Sequence, residues 1–298
     1  MTVPPRAQAS APSLHHTDLR SYPVTAGFVL MFLFTWPLEL GLAAQSRGLL
    51  PFHFPPFLEL FVGYGFIIAS ISAAAMIDGR KGVKTLIARL AIWRVSLGWY
   101  ATALLGPALF YLAGIGIHVM LGGATPDFTQ PFVRQLVPPS FSLGLAGIIF
   151  LIFQIFVNGE EFGWRGYALP RLQVRYSSLV ASLIVGTVAS LWHIPKYLTV
   201  GDPHVLPFWF FFLHITTSAI LFTWIFNKTN GSLLIAILLH AGINTGIVML
   251  PVMPALINDT RPLIISYGLQ IIAAGVVAMV AGKDLGSKSS SRYREEHI

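Results

Sequence analysis

Eight stretches of about twenty mostly apolar residues, the length a helix needs to cross the hydrocarbon core of a bilayer, constrain this chain more than any other feature. They lie at about 24–44, 57–77, 97–121, 141–160, 178–197, 206–226, 232–250 and 263–282. With 55% hydrophobic and only 10% charged residues, the chain is too apolar for a soluble domain. The pattern predicts an all-α polytopic membrane protein of about eight transmembrane helices. A single helical domain would cover residues 23–282, between a disordered polar tail at 1–22 and a second polar tail at 283–298. Pro37, Pro107 and Pro195 fall inside or near the ends of these runs, which membrane helices tolerate when neighbours re-satisfy the freed carbonyls.

The net charge of +7 raises the question of nucleic-acid binding, but the basic residues lie in the connections between apolar runs and form no polar face. The topology rule explains them better. With both termini on one side, fifteen of the 19 Lys and Arg collect there, against Arg47, Arg134, Lys196 and Arg261 on the other. Cytoplasmic connections carry such an excess, so the expectation is a bacterial plasma-membrane protein with both termini in the cytoplasm, contacting lipid and no nucleic acid. The basic segment 78–99 reads either as an interfacial helix or as a basic loop. The absence of cysteine rules out disulfides, thiol nucleophiles and thiolate metal sites together.

Against that apolar background three polar clusters stand out. The first is Glu160, Glu161 and Arg165 at the end of the fourth run; the second is His193; the third is His240 with Asn244. Ionisable groups at bilayer depth are costly and normally face a bundle interior or a cavity. Glu160 and His193 sit 16 or 17 residues either side of a turn near Tyr176, so an antiparallel hairpin brings them level, about 25 Å along each helix. His240 lies about 12 Å into its span from the same side. All three clusters can therefore share one polar cavity, expected to open to the cytoplasmic side. His240 and Asn244, four apart, project from one helical face, and Ala241 and Gly242 allow close helix approach. Glu161 and Arg165 are also four apart and can pair, which leaves Glu160 as the freer carboxylate and the candidate general base. His118, His204, His214, Glu39 and Glu59 lack comparable context and read as structural. A glutamate with two histidines is a zinc-like set, but the HExxH spacing is absent and Arg165 would set positive charge beside the ion. No metal and no cofactor is expected.

These residues resemble a known family: the membrane-embedded CAAX prenyl endopeptidases and bacteriocin-processing enzymes, intramembrane glutamic proteases that also carry an abortive-infection label. Glu160-Glu161-Phe162-Gly163-Trp164-Arg165 matches its EExxxR motif, His193 the histidine of FxxxH, and His240 with Asn244 the HxxxN motif. The resemblance covers about residues 80–250 and departs at Ala189, where the second motif has phenylalanine. It implies eight helices around a conical cavity, a water activated by Glu160 and His193, an oxyanion stabilised by His240 and Asn244, and Glu161 with Arg165 as the supporting pair. The substrate would be a membrane-associated peptide or a lipidated, for example prenylated, protein. Buried Glu and His relays also serve proton-coupled carriers, and the same residues could persist in a non-catalytic immunity or scaffold protein. The motif spacing and the absence of an inverted repeat favour the peptidase.

Overall fold

The computed structural model describes residues 21–55, 57–58, 61–138, 140–201 and 206–287. The tail expected at 1–22, apart from its last two residues, most of the tail after 283, His204 and Glu59 lie outside them. The described residues form helices and no strands, as a bilayer demands of a chain that must satisfy its own backbone. In order these are α1 (Pro23–Ser46), α2 (Phe61–Ala88), α3 (Leu97–Met120), α4 (Leu143–Val157), a π-helical stretch (Phe162–Ala168) running into α5 (Leu169–Gln173), α6 (Ser178–Trp192), α7 (Ile194–Leu198), α8 (Phe208–Lys228), α9 (Leu233–Met249), α10 (Pro254–Ile257) and α11 (Arg261–Ala281). Among the described residues seven helical segments are long and apolar enough to span a membrane, and α4 with the Phe162–Gln173 segment, bent by 45°, makes an eighth if the pair is one broken span.

Local sequence sets the boundaries. Ser142, Ser177 and Ser232 cap α4, α6 and α9, each side chain accepting from the backbone N–H three residues on, and thus satisfy donors a helix start leaves open. Asn230 and Gly231, both at positive φ, make the tight turn between α8 and α9. Gly79, at φ +62°, kinks α2; the basic segment 80–88 after it is helical, in keeping with the interfacial reading of that region. Past α11 the chain does not fray at once: Leu285 is fully buried and its carbonyl accepts from Asn227 Nδ2 at 3.2 Å.

Lipid tails are as apolar as leucine, so helix association here depends on close packing and polar links. α1 packs on α2, α6 on α8, α3 on α9 and α11, and α4 chiefly on α9. Gly242 brings α9 against α3, where an added Cβ would sit 2.4 Å from the Ala103 carbonyl oxygen. The main core joins α1, α2, the π-helical stretch and α6 around Met31, Phe66, Trp164, Tyr167 and Trp192, with Phe66 edge-on to both Trp164 and Trp192 at 5.0 Å. α1 is tied to the start of α7 by Trp192 Nε1 donating to Thr35 Oγ1 (2.7 Å), Trp36 Nε1 donating to the Trp192 carbonyl (3.0 Å), and Lys196 pairing with the buried Glu39 (3.5 Å).

The break after α4 touches α2 backbone to backbone. A Cβ on Gly159 would lie 1.9 Å from the Gly63 backbone oxygen, which no side-chain rotation can relieve. Gly159→Ala should therefore destabilise the protein by roughly 1–3 kcal/mol, as overpacking does, and lower the midpoint of thermal unfolding in detergent. Gly268→Ala, whose Cβ would meet nothing within 4 Å, should leave it unchanged or slightly raised.

Candidate active site

The fourth apolar run does not continue as one helix through the glutamates. α4 ends at Val157, Asn158 and Gly159 form the break, and Glu160 and Glu161 open the helix that continues to Gln173. This sets both carboxylates at a helix N-terminus, where exposed N–H groups and the positive end of the dipole favour negative charge. The following turns are π-helical, a local widening that recurs at functional sites.

From that position the two glutamates diverge as their spacing predicts. Glu161 is fully buried, and its Oε1 accepts from Arg165 Nη1 at 3.0 Å and meets His240 Nδ1 at 2.8 Å. Arg165 is itself 6% exposed and lies over the Phe222 ring at 4.1 Å. Glu160 is half-buried, accepts from Trp164 Nε1 at 3.2 Å through Oε2, and faces a cavity of about 510 Å³. That cavity is lined by every residue the three clusters contributed: Glu160, Glu161, Arg165, His193, His240 and Asn244. His193, at the end of α6, is also half-buried. It donates from Nδ1 to the Ala189 carbonyl at 2.8 Å. His240 is likewise anchored at Nδ1, on Glu161.

Several lining residues were not legible as functional. Gln154, in α4, accepts from Asn244 Nδ2 at 2.9 Å; one amide hydrogen is thereby held and the plane of the other fixed. Phe211 stands edge-on to His193 at 5.0 Å and supplies aromatic wall beside Ala189. His214, read as structural, lines the cavity stacked on Tyr267, with ring centroids 3.7 Å apart. A single Gln or Phe in an apolar run carries no signal, whereas the paired glutamates did. His118 remains outside the cavity, with Nε2 near the Ala124 carbonyl at 3.1 Å.

The connections that line the cavity are Phe132 and Leu136 before α4, Leu206 before α8, and Met253 and Pro254 after α9, all at the end of the bundle opposite the start of α1. Among the described residues no group of three or more His, Asp or Glu side chains is disposed to hold a metal ion.

Residues 140–246, from the start of α4 through Asn244 on α9, match the family model described as type II CAAX prenyl endopeptidase Rce1-like. The chain is 34% identical over 183 residues to CAAX prenyl protease 2 of Methanococcus maripaludis, covering 59% of this chain and 63% of that relative. The family resemblance carried by the three motifs is thus borne out over the segment that holds them.

The geometry holds Glu161 in a buried network with Arg165 and His240. Glu161→Gln would leave Arg165 buried without its counter-ion and release His240, and breaking a buried pair costs about 3–5 kcal/mol. The variant should unfold at markedly lower temperature in detergent, and Arg165→Met added to it should recover part of the loss.

Proposed function

We propose that this protein is an intramembrane endopeptidase that hydrolyses a peptide bond of a membrane-associated protein or peptide, prenylated or not, without a metal ion. The observation that carries this reading is one cavity bounded by Glu160, His193, His240 and Asn244 with the Glu161–Arg165 pair behind them. The family match over the same residues favours a hydrolase over a carrier or scaffold.

In this reading a water held between Glu160 and His193 Nε2 gives up a proton to the Glu160 carboxylate as its oxygen bonds to the scissile carbonyl carbon. The carbonyl oxygen becomes an oxyanion that receives hydrogen bonds from His240 Nε2–H and the second N–H of Asn244, donors set on one helical face. Collapse of the tetrahedral species breaks the C–N bond, and the proton taken by Glu160 passes to the departing nitrogen. Glu161 and Arg165 touch no reacting atom; they hold His240 in register. Gln154 does the same for Asn244. The excess of basic residues on the side of both termini supports a cytoplasmic position for them, in a membrane read here as a bacterial plasma membrane.

Glu160→Gln keeps the size of the side chain and its acceptance from Trp164 but removes the base. Turnover of a peptide reporter should vanish while the thermal midpoint stays within a degree or two of wild type. An active Glu160→Gln protein would show that the base lies elsewhere.

A positioning role for Gln154 has its own signature. Gln154→Leu should lower kcat by about tenfold or more with little change in KM, because a loosened donor matters most once the oxyanion forms. Added to Asn244→Ala, it should cost nothing further. Additive losses in that double-mutant cycle would assign Gln154 a purely structural role.

A further inference from the structure

We propose that His214, Tyr267 and Tyr111 form a second recognition site in the cavity, one that takes an uncharged hydrogen-bonding side chain of the substrate, a hydroxyl or a carboxamide, near the scissile bond. The inference deepens the peptidase reading and rests on it for the ligand being a substrate; the polar site itself stands on separate geometry.

The cavity holds more polar groups than the proposed chemistry uses. Beyond the three clusters and Gln154, its lining includes His214 and Ser218 from α8, Tyr111 from α3 and Tyr267 from α11. His214 is only 5% exposed, and its ring lies parallel to that of Tyr267, within 3° and with centroids 3.7 Å apart. Its Nδ1 meets Ser218 Oγ of the same helix at 3.4 Å. Among the described residues His214 Nε2 and the two phenol hydroxyls have no hydrogen-bond partner in the protein, yet none of the three is sealed off from the cavity that its residue lines. The Tyr111 and Tyr267 hydroxyls are near enough to interact electrostatically, so three helices bring polar edges to one part of the wall.

Packing alone asks for none of these atoms. Phenylalanine at positions 214 and 267 would stack as well, whereas a polar group held in an apolar wall without a partner costs free energy that a bound group can recover. The bound group is uncharged, because the formally charged residues that line the cavity, Glu160, Glu161 and Arg165, belong to the catalytic end. A carboxylate or ammonium brought to the His214 corner would be buried without a counter-charge. An imidazole and two hydroxyls supply both donors and acceptors, as a hydroxyl or a carboxamide requires.

The corner is also close enough to the reacting groups to read a neighbouring residue. Phe211, edge-on to His193, is three residues before His214 and on the same face of α8, a rise of about 4.5 Å. On α9, Gly246 lies two residues past Asn244, and a Cβ there would sit 3.1 Å from the Tyr111 ring. Three residues of extended chain, at about 3.5 Å each, cover such a distance. Leu206 and Leu263, packed with Tyr111, surround the corner with apolar carbon, which makes a missed hydrogen bond there more costly.

The test uses the full chain in detergent and apolar peptides that differ at one position by Thr or Val, or by Asn or Leu, pairs of similar shape, scanned over three positions on each side of the peptide's centre. At one of these positions wild type should favour the Thr or Asn peptide by about tenfold or more in kcat/KM, since a site built to hydrogen-bond a group rejects the analogue that lacks it. His214→Phe and Tyr267→Phe keep the stacked rings; in each, that ratio should fall to within about twofold of one, through slower cleavage of the Thr and Asn peptides. No preference in wild type, or a preference that survives both substitutions, overturns the proposal. So does an equal loss toward every peptide together with a lowered thermal midpoint, the mark of a packing role. Equilibrium binding of the same peptides to Glu160→Gln protein reads the site without turnover, and the preference should appear there and disappear when His214→Phe is added. That binding preference without cleavage by wild type overturns the peptidase reading and leaves the recognition site standing. Cleavage without any preference does the reverse.

Discussion

The buried carboxylate of Glu161 is the tie on which the site depends. A charge removed from water is tolerated only where it is paired and hydrogen-bonded, and here one oxygen gathers Arg165 from the next turn and His240 from α9. Arg165 in turn lies on Phe222 of α8, so one carboxylate joins three segments that are distant in sequence. His240 is oriented without recruiting a further polar residue, and Glu160, one position earlier, is left to face the cavity. Two adjacent glutamates thus do different work because the helix turns between them.

How much of this was legible follows from what each residue costs in an apolar setting. The spans could be read from run length, because lipid demands about twenty residues per crossing. The clusters could be read because a glutamate, an arginine or a histidine in such a run is expensive enough to require a reason. The i, i+4 pairing of Glu161 with Arg165 also held, even though the segment proved π-helical. The break at Asn158 and Gly159 was hidden: a run apolar on all sides has no periodicity to interrupt, and the backbone it packs against is that of Gly63 on α2, 96 positions away. Gln154, Phe211 and Phe222 escaped for a different reason. Each is an ordinary residue for its helix and acquires a role only from its neighbour across the cavity. Glu39 escaped because its partner Lys196 is on α7, a helix of one and a half turns that reads as the tail of the preceding run.

Ala189 shows how a departure from a motif can be absorbed. Its small side chain leaves room beside His193, and Phe211, projecting from α8, stands against the imidazole edge. The ring of His193 is therefore bounded by Trp192 from its own helix and Phe211 from the next, while its Nδ1 is fixed by the backbone. Orientation of the histidine does not need an aromatic residue at position 189.

The bonds between α1 and α7 bear on where the working unit begins. The family match starts at residue 140, yet Trp192 and Lys196, on either side of His193, are moored to Thr35, Trp36 and Glu39, and Tyr167 donates to the Pro23 carbonyl at 2.8 Å. Gly63 meets the break that carries the glutamates. The first two helices are thus part of the frame that holds the reacting groups. A chain could diverge freely along their lipid-facing sides while a few inward positions stay fixed, and a recombinant fragment trimmed to the matched residues would contain every motif and lack the scaffold that aligns them.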